Sequence, residues 1–245
     1  MDDPHILLLL AAVAAFVGLH LVLALPAIRA RLVARLGTGP FRGLYALQST
    51  VTLVLTALAY RDAPYVPLWT VPALAWLPVV LMPVALWLVV GALSTRNPTA
   101  IGGAAAAIPA GDALPLTTAV TRHPMLWGVT LWALGHLAAN GDLASLFLFG
   151  GMAVLSLAGM AGIDAKKRAD PAFDFAALAE RTSLLPLAAT LAGRNRLRAG
   201  WADALRLAVA VLLYVGILHG HASVFGVSPY PPGHDLPASG VTSSQ

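Results

Sequence analysis

Apolar residues in this chain fall in long runs. They show neither the two-residue alternation of a half-buried strand nor the polar face of a surface helix. Between Ile6 and Leu25 only Gly18 and His20 interrupt aliphatic and aromatic side chains. A helix crossing a bilayer needs about 20 such residues, and the pattern predicts six spans, at about 5–25, 43–60, 73–93, 124–140, 143–163 and 200–219. The second and fourth are short. The third carries Pro78 and Pro83 and is expected to kink, because neighbouring helices can re-satisfy the carbonyls a proline frees. The turn Asn140-Gly141-Asp142 is tight enough to fold the fourth and fifth spans into an antiparallel pair. The predicted class is all-α, a polytopic transmembrane bundle formed by one domain over residues 1–227 with no internal repeat. The polar, proline-rich tail over residues 228–245 is expected to be disordered.

Composition agrees with that pattern. The chain is 58% hydrophobic and 11% charged, with a mean hydropathy of +0.78, against about 25% charged residues in soluble domains. The bilayer is therefore its first partner. The net charge of +4 does not point to nucleic acid, because the basic residues sit between the apolar runs. Cysteine is absent, which excludes disulfides, thiolate ligation and cysteine-based zinc sites. The start is acidic (Asp2, Asp3) and the first run is longer than the ~7–15 residues of a signal-peptide core. The first segment is expected to be a retained helix.

Charge then sets orientation. Residues 26–42 carry Arg29, Arg31, Arg35 and Arg42; residues 94–123 carry Arg96 and Arg122; residues 164–199 carry Lys166, Lys167, Arg168, Arg181, Arg194, Arg196 and Arg198. In a six-span arrangement these segments share one side and hold 13 of the 15 basic residues. The opposite side has Arg61, and Arg206 can snorkel from the inner end of the last span. The positive-inside rule puts the basic side in the cytoplasm and both termini outside. Two connections are long: 94–122, rich in alanine and glycine, and 164–199. The second contains Leu184 to Leu191, too short to span and better suited to an interfacial or re-entrant piece.

Candidate chemistry lies inside the runs. An ionisable group in a membrane helix is costly and by default marks a functional position. His20 and His136 are such groups on different spans. Each either hydrogen-bonds a neighbouring helix or contributes to a shared ligand, for which haem iron is the natural candidate. Trp132, one turn before His136, can pack on a macrocycle. One iron shared by both imidazoles requires matched depth, and the spans as delimited set them on opposite sides of the midplane. Arg122-His123-Pro124 opens the fourth span; proline suits a first helical turn. The arginine serves as an interfacial cap or, with the helix N-terminus, as a dock for a propionate or phosphate. Tyr45, Gln48, Ser49, Thr52 and Thr56 line one side of the second span, a pattern for interhelical hydrogen bonding. His219 and His221 close the last span and need no partner at a membrane surface. Glu180 is the single glutamate, which disfavours two-carboxylate acid/base chemistry.

Two stretches carry a family resemblance. Thr121 to Ser145 (TRHPMLWGVTLWALGHLAANGDLAS), and Arg29 to Ser49 following the first-span histidine, resemble the NnrU family of bacterial inner-membrane proteins over most of residues 6–168. Glu180 to Arg194 (ERTSLLPLAATLAGR) is similar to a region of 15-cis-zeta-carotene isomerase, the enzymatic branch of that superfamily. The resemblance implies a multi-pass inner-membrane protein with a periplasmic N-terminus, linked to denitrification and nitric oxide metabolism. The isomerase carries haem b between two histidines. Its ligands match His20 and, in a W-x-x-x-H context, Trp132 to His136 here; Arg122 and His123 at the head of that span complete the expected cofactor site. Where the isomerase has an exchangeable cysteine ligand, this chain has Ala133. The alternative implied is a haem-dependent cis-trans isomerase of a carotenoid or other lipophilic polyene, so the resemblance leaves open whether the protein is an enzyme. Arg122 to Gly128 (RHPMLWG) is also similar to the RHPxYxG motif of isoprenylcysteine methyltransferase relatives, with Leu126 in place of the tyrosine. A fourth reading is a structural membrane subunit whose histidines only join helices.

Overall fold

The computed structural model describes residues 3–99 and 114–231, and over them the chain is helical apart from loops. The helices are α1 (Pro4–Ala24), α2 (Pro26–Leu36), α3 (Thr38–Asp62), α4 (Trp76–Ser94), α5 (Leu116–Val120), α6 (Pro124–Asn140), α7 (Leu143–Arg168), α8 (Phe175–Arg181), α9 (Ala188–Leu191) and α10 (Trp201–Phe225). A 3₁₀ turn, Pro72–Ala75, leads into α4. Most of the expected tail, 232–245, and part of the expected long connection, 100–113, lie outside the described residues.

Among the described residues five segments are long and apolar enough to cross a membrane: α1, α3, α4 with its 3₁₀ turn, α7 and α10. The expected fourth span forms as α6 with the predicted ends, but it has 17 residues, the lower limit for a crossing. Its limits follow from local chemistry. Pro124 occupies the first turn, and Gly141 ends the helix at φ 63° in the left-handed region, as glycine C-caps do. Asp142 then caps α7 by accepting from the Ser145 N–H at 3.0 Å. The opening stretch that reads as a loop, 26–36, is instead a helix: Pro26 breaks the run and starts α2, which carries Arg29, Arg31 and Arg35.

α6 lies between α4 and α7; α1 packs on α7, α3 on α1, and α10 on α4. The α4–α6 crossing is close because Gly128 permits it: a Cβ there would sit 2.8 Å from the Ala85 carbonyl oxygen. Thr130 of α6 bonds Ser156 of α7 at 2.8 Å, and Val13 of α1 lies against Gly151 of α7. Arg206 of α10 bonds Ser94 of α4 at 3.0 Å, and Tyr214 donates to the Val79 carbonyl at 3.0 Å. These contacts fix alternating directions. They bring Arg29, Arg42, Arg122, Lys166 and Arg206 to one end of the bundle. Large apolar side chains remain exposed along the outer faces, among them Leu8, Leu55, Val80, Val154 and Leu212. They form the surface a lipid phase would cover.

The opposite end is closed by an extended segment. Pro67 pairs with Asp142 in an isolated antiparallel bridge. The N–H groups of Leu68 and Trp69 donate to the Gly141 carbonyl at 2.8 and 3.0 Å. The indole of Trp69 donates to the Ala138 carbonyl at 3.1 Å.

Candidate functional site

Two places concentrate polar chemistry in an otherwise apolar molecule. The first is a junction at the basic end, where α6 begins. Asp164, near the end of α7, forms an ion pair with Arg122, Oδ2 to Nε at 3.0 Å, and a hydrogen bond with His123, Oδ1 to Nε2 at 2.8 Å. His123 is 2% exposed and Asp164 6%. Burial pushes the Arg122 guanidinium down from its ordinary pKa, and the Asp164 carboxylate pulls it back up. Arg122 also stacks over Phe175 at 5.5 Å.

Backbone groups of the same turn are saturated by distant segments. The Arg122 carbonyl accepts from Asn97 at 3.2 Å and from the Thr99 hydroxyl, and the Arg122 N–H donates to the Ser183 carbonyl at 3.0 Å. Thr121 and Trp127 both donate to the Leu184 carbonyl, at 2.9 and 2.8 Å. The stretch expected to be interfacial or re-entrant thus folds back over the head of α6. Its second half is α9, and Asn195 beyond it donates to the Ala119 carbonyl at 3.0 Å.

The chemistry of the junction is that of a histidine held by a carboxylate. An ionised Asp164 accepts only, so His123 Nε2 carries a proton. His123 Nδ1 is buried with no hydrogen-bond partner. A carboxylate that fixes one ring nitrogen sets the tautomer and leaves the other as a base or ligand. Arg122, expected as a propionate dock, is here engaged by Asp164.

The second place is the pair of span histidines. His20 of α1 directs Nδ1 to the Phe16 carbonyl at 2.7 Å, and its ring lies 5.4 Å from Tyr45 of α3. His136 of α6 directs Nδ1 to the Trp132 carbonyl at 2.8 Å. It stacks on Phe149 at 5.3 Å, and Phe149 lies edge-on to Trp132 and Tyr60. With Nδ1–H donating to a carbonyl, Nε2 keeps its lone pair, as metal-binding imidazoles do. Each ring therefore fits an iron ligand by itself.

The pair does not fit the two faces of one iron as placed. α1 and α6 each pack on α7, with little direct contact between them. Val13 and Val17 lie beside Gly151, whereas His136 lies beside Phe149. Counting along the helices, His20 stands roughly 7–10 Å nearer the basic end than His136, at about 1.5 Å per residue. The offset recurs on α3, where Tyr45, beside His20, lies near one end and Tyr60, which meets Phe149, near the other.

Most of the remaining polar candidates are satisfied locally, while Thr56 Oγ1 and Gln48 Oε1 are buried without a hydrogen-bond partner. The α3 stripe bonds within its own helix: Ser49 donates to the Tyr45 carbonyl at 2.7 Å and Thr52 to the Gln48 carbonyl at 2.7 Å. Hydroxyls one turn from a carbonyl take the nearest acceptor, which corrects the interhelical reading for Ser49 and Thr52. The Nδ1 atoms of His219 and His221 contact the Val215 and Val227 carbonyls at 2.8 and 2.9 Å. No group of three or more metal-capable side chains occurs among the described residues.

Comparison with known proteins adds one match. A family model described as NnrU protein covers residues 8–229, nearly the whole chain. No curated protein matches, and no solved structure matches.

Proposed function

The chain belongs to the NnrU family, and from that premise we propose that it is a bacterial inner-membrane protein that binds haem b through His136 and serves nitric oxide metabolism. The basic end faces the cytoplasm under the positive-inside rule, which puts the N-terminus in the periplasm. The observation that carries the reading is the Nδ1 contact of His136 with the Trp132 carbonyl at 2.8 Å. It orients the ring and leaves Nε2 as the ligating atom. Trp132, Phe149 and Tyr60 give that ring an aromatic surround suited to a flat apolar group. A haem held there by His136 would supply an iron able to take up a small ligand such as nitric oxide. His20, at its different depth, is a structural histidine of the α1–α3 contact.

Absorption spectra of the detergent-purified protein test this, oxidised and reduced, with and without nitric oxide, beside His136→Ala and His20→Ala. The expected result is a b-type spectrum that nitric oxide shifts, lost in His136→Ala and kept in His20→Ala. A colourless protein after expression with haem supplied overturns the reading. Loss in both folded variants overturns the single-ligand assignment in favour of a shared iron.

The isomerase alternative calls on the same imidazole. In place of the exchangeable cysteine stands Ala133, fully buried against Phe149 and Ala153, so the chemistry would have to proceed without that ligand. The methyltransferase alternative draws on the buried Arg122–His123–Asp164 junction, and adenosylmethionine binding would favour it over haem.

A further inference from the structure

We propose that an arginine-lined cavity at the basic end binds a phosphate-bearing anion. The cavity encloses about 360 Å³ between Arg181, Gly193, Arg194, Asn195, Arg196 and Arg198. Four of these six residues are arginines and none is a carboxylate. Of the acids nearest along the chain, Asp203 is committed to Arg206 at 2.8 Å and to the Gly200 N–H at 2.9 Å, and Glu180 adjoins Arg181 on the other side.

The frame of the cavity is fixed before any ligand arrives. Gly193 takes φ 70°, a left-handed turn that reverses the chain after α9. Arg194 Nη1 donates to the Ala179 and Thr182 carbonyls at 2.7 and 3.1 Å. Asn195 Nδ2 donates to the Arg181 carbonyl at 2.8 Å, and its Oδ1 accepts from Thr190 at 2.6 Å. Arg196 and Arg198 are exposed on this frame. Guanidinium forks match phosphate oxygens two at a time, and a concave group of them selects a multiply charged anion over chloride.

The position narrows the source to two. Trp201, 81% exposed, heads α10 directly after the cavity, and a tryptophan at a span end marks the headgroup level. The phosphate thus comes from an anionic lipid headgroup or from a soluble phosphate compound.

Thermal unfolding of the full chain in phosphatidylcholine nanodiscs separates these. One arm adds pyrophosphate against chloride at equal ionic strength; the other adds phosphatidylglycerol to the discs. The variants are Arg196→Gln with Arg198→Gln and, as a charge-matched control on the same end, Arg31→Gln with Arg35→Gln. The expected result is a midpoint raised by roughly 5 °C or more once a probe reaches about 100 times its Kd. That gain is at least halved in the cavity variant and kept in the control. A response to pyrophosphate assigns a soluble ligand, and a response to phosphatidylglycerol alone assigns a headgroup. No response to either probe, or equal responses in all three proteins, overturns the proposal.

Discussion

Asp164 shows what a single side chain decides here. It holds a guanidinium and an imidazole in a site where water is largely excluded. Removing one partner of a buried pair leaves the other charge uncompensated. Asp164→Asn is therefore expected to cost roughly 3–5 kcal/mol in reversible detergent unfolding; a loss below about 1 kcal/mol would mean the junction is solvated. The Arg122-His123-Pro124 half of this site was legible, because a proline in a first turn locates a helix start. Its carboxylate was not. In the sequence Asp164 precedes Lys166, Lys167 and Arg168 and reads as part of a solvated helix end. Only the antiparallel turn at Gly141 folds it back onto a residue 41 positions earlier. An acid at the very end of an apolar run, on the same predicted side as Arg122, was the available signal. Thr182, Ser183 and Asn195 gave no signal, since their role is to bond backbone.

Helices were legible where their ends carry chemistry. α6 was readable to the residue from Pro124 and the Asn-Gly-Asp turn, whereas α3 and α10 run past their apolar stretches to Asp62 and Phe225. Polar residues at a membrane surface do not stop a helix, so hydropathy alone ends it early. α2 was hidden for a related reason. Its arginines suggested a loop, yet an amphipathic helix can lie along an interface. At this scale the α4–α6 crossing is a rigid constraint, because at Gly128 the obstacle is the Ala85 carbonyl as well as a side chain. Gly128→Leu is expected to destabilise by about 1–3 kcal/mol through overpacking, measured as the unfolding midpoint. Gly162→Ala, where a Cβ meets nothing within 4 Å, is expected to be neutral. Equal effects at both glycines would mean that α4 and α6 separate freely.

The whole molecule is a row of helices with one strongly basic end. Because the chain has no cysteine, single cysteines report its sidedness directly. In spheroplasts, an impermeant maleimide is expected to label Asp62→Cys, and to label Arg31→Cys and Arg198→Cys only after lysis. Labelling of all three from outside would contradict the orientation.

The length of α6 has a consequence for the membrane itself. Seventeen residues span about 25 Å at 1.5 Å per residue, several ångströms less than a typical hydrocarbon core of about 30 Å. Tilting would only shorten its reach, and its two ends are tied, to Trp69 at one and to Leu184 at the other, so the helix itself cannot make up the difference. The lipids must dip toward the protein, at a cost of fractions of a kcal/mol per Å. Acyl-chain length thereby becomes a thermodynamic variable of this fold. Its unfolding midpoint is expected to be higher in short-chain than in long-chain phosphatidylcholine, and the protein should gather where a membrane is thin.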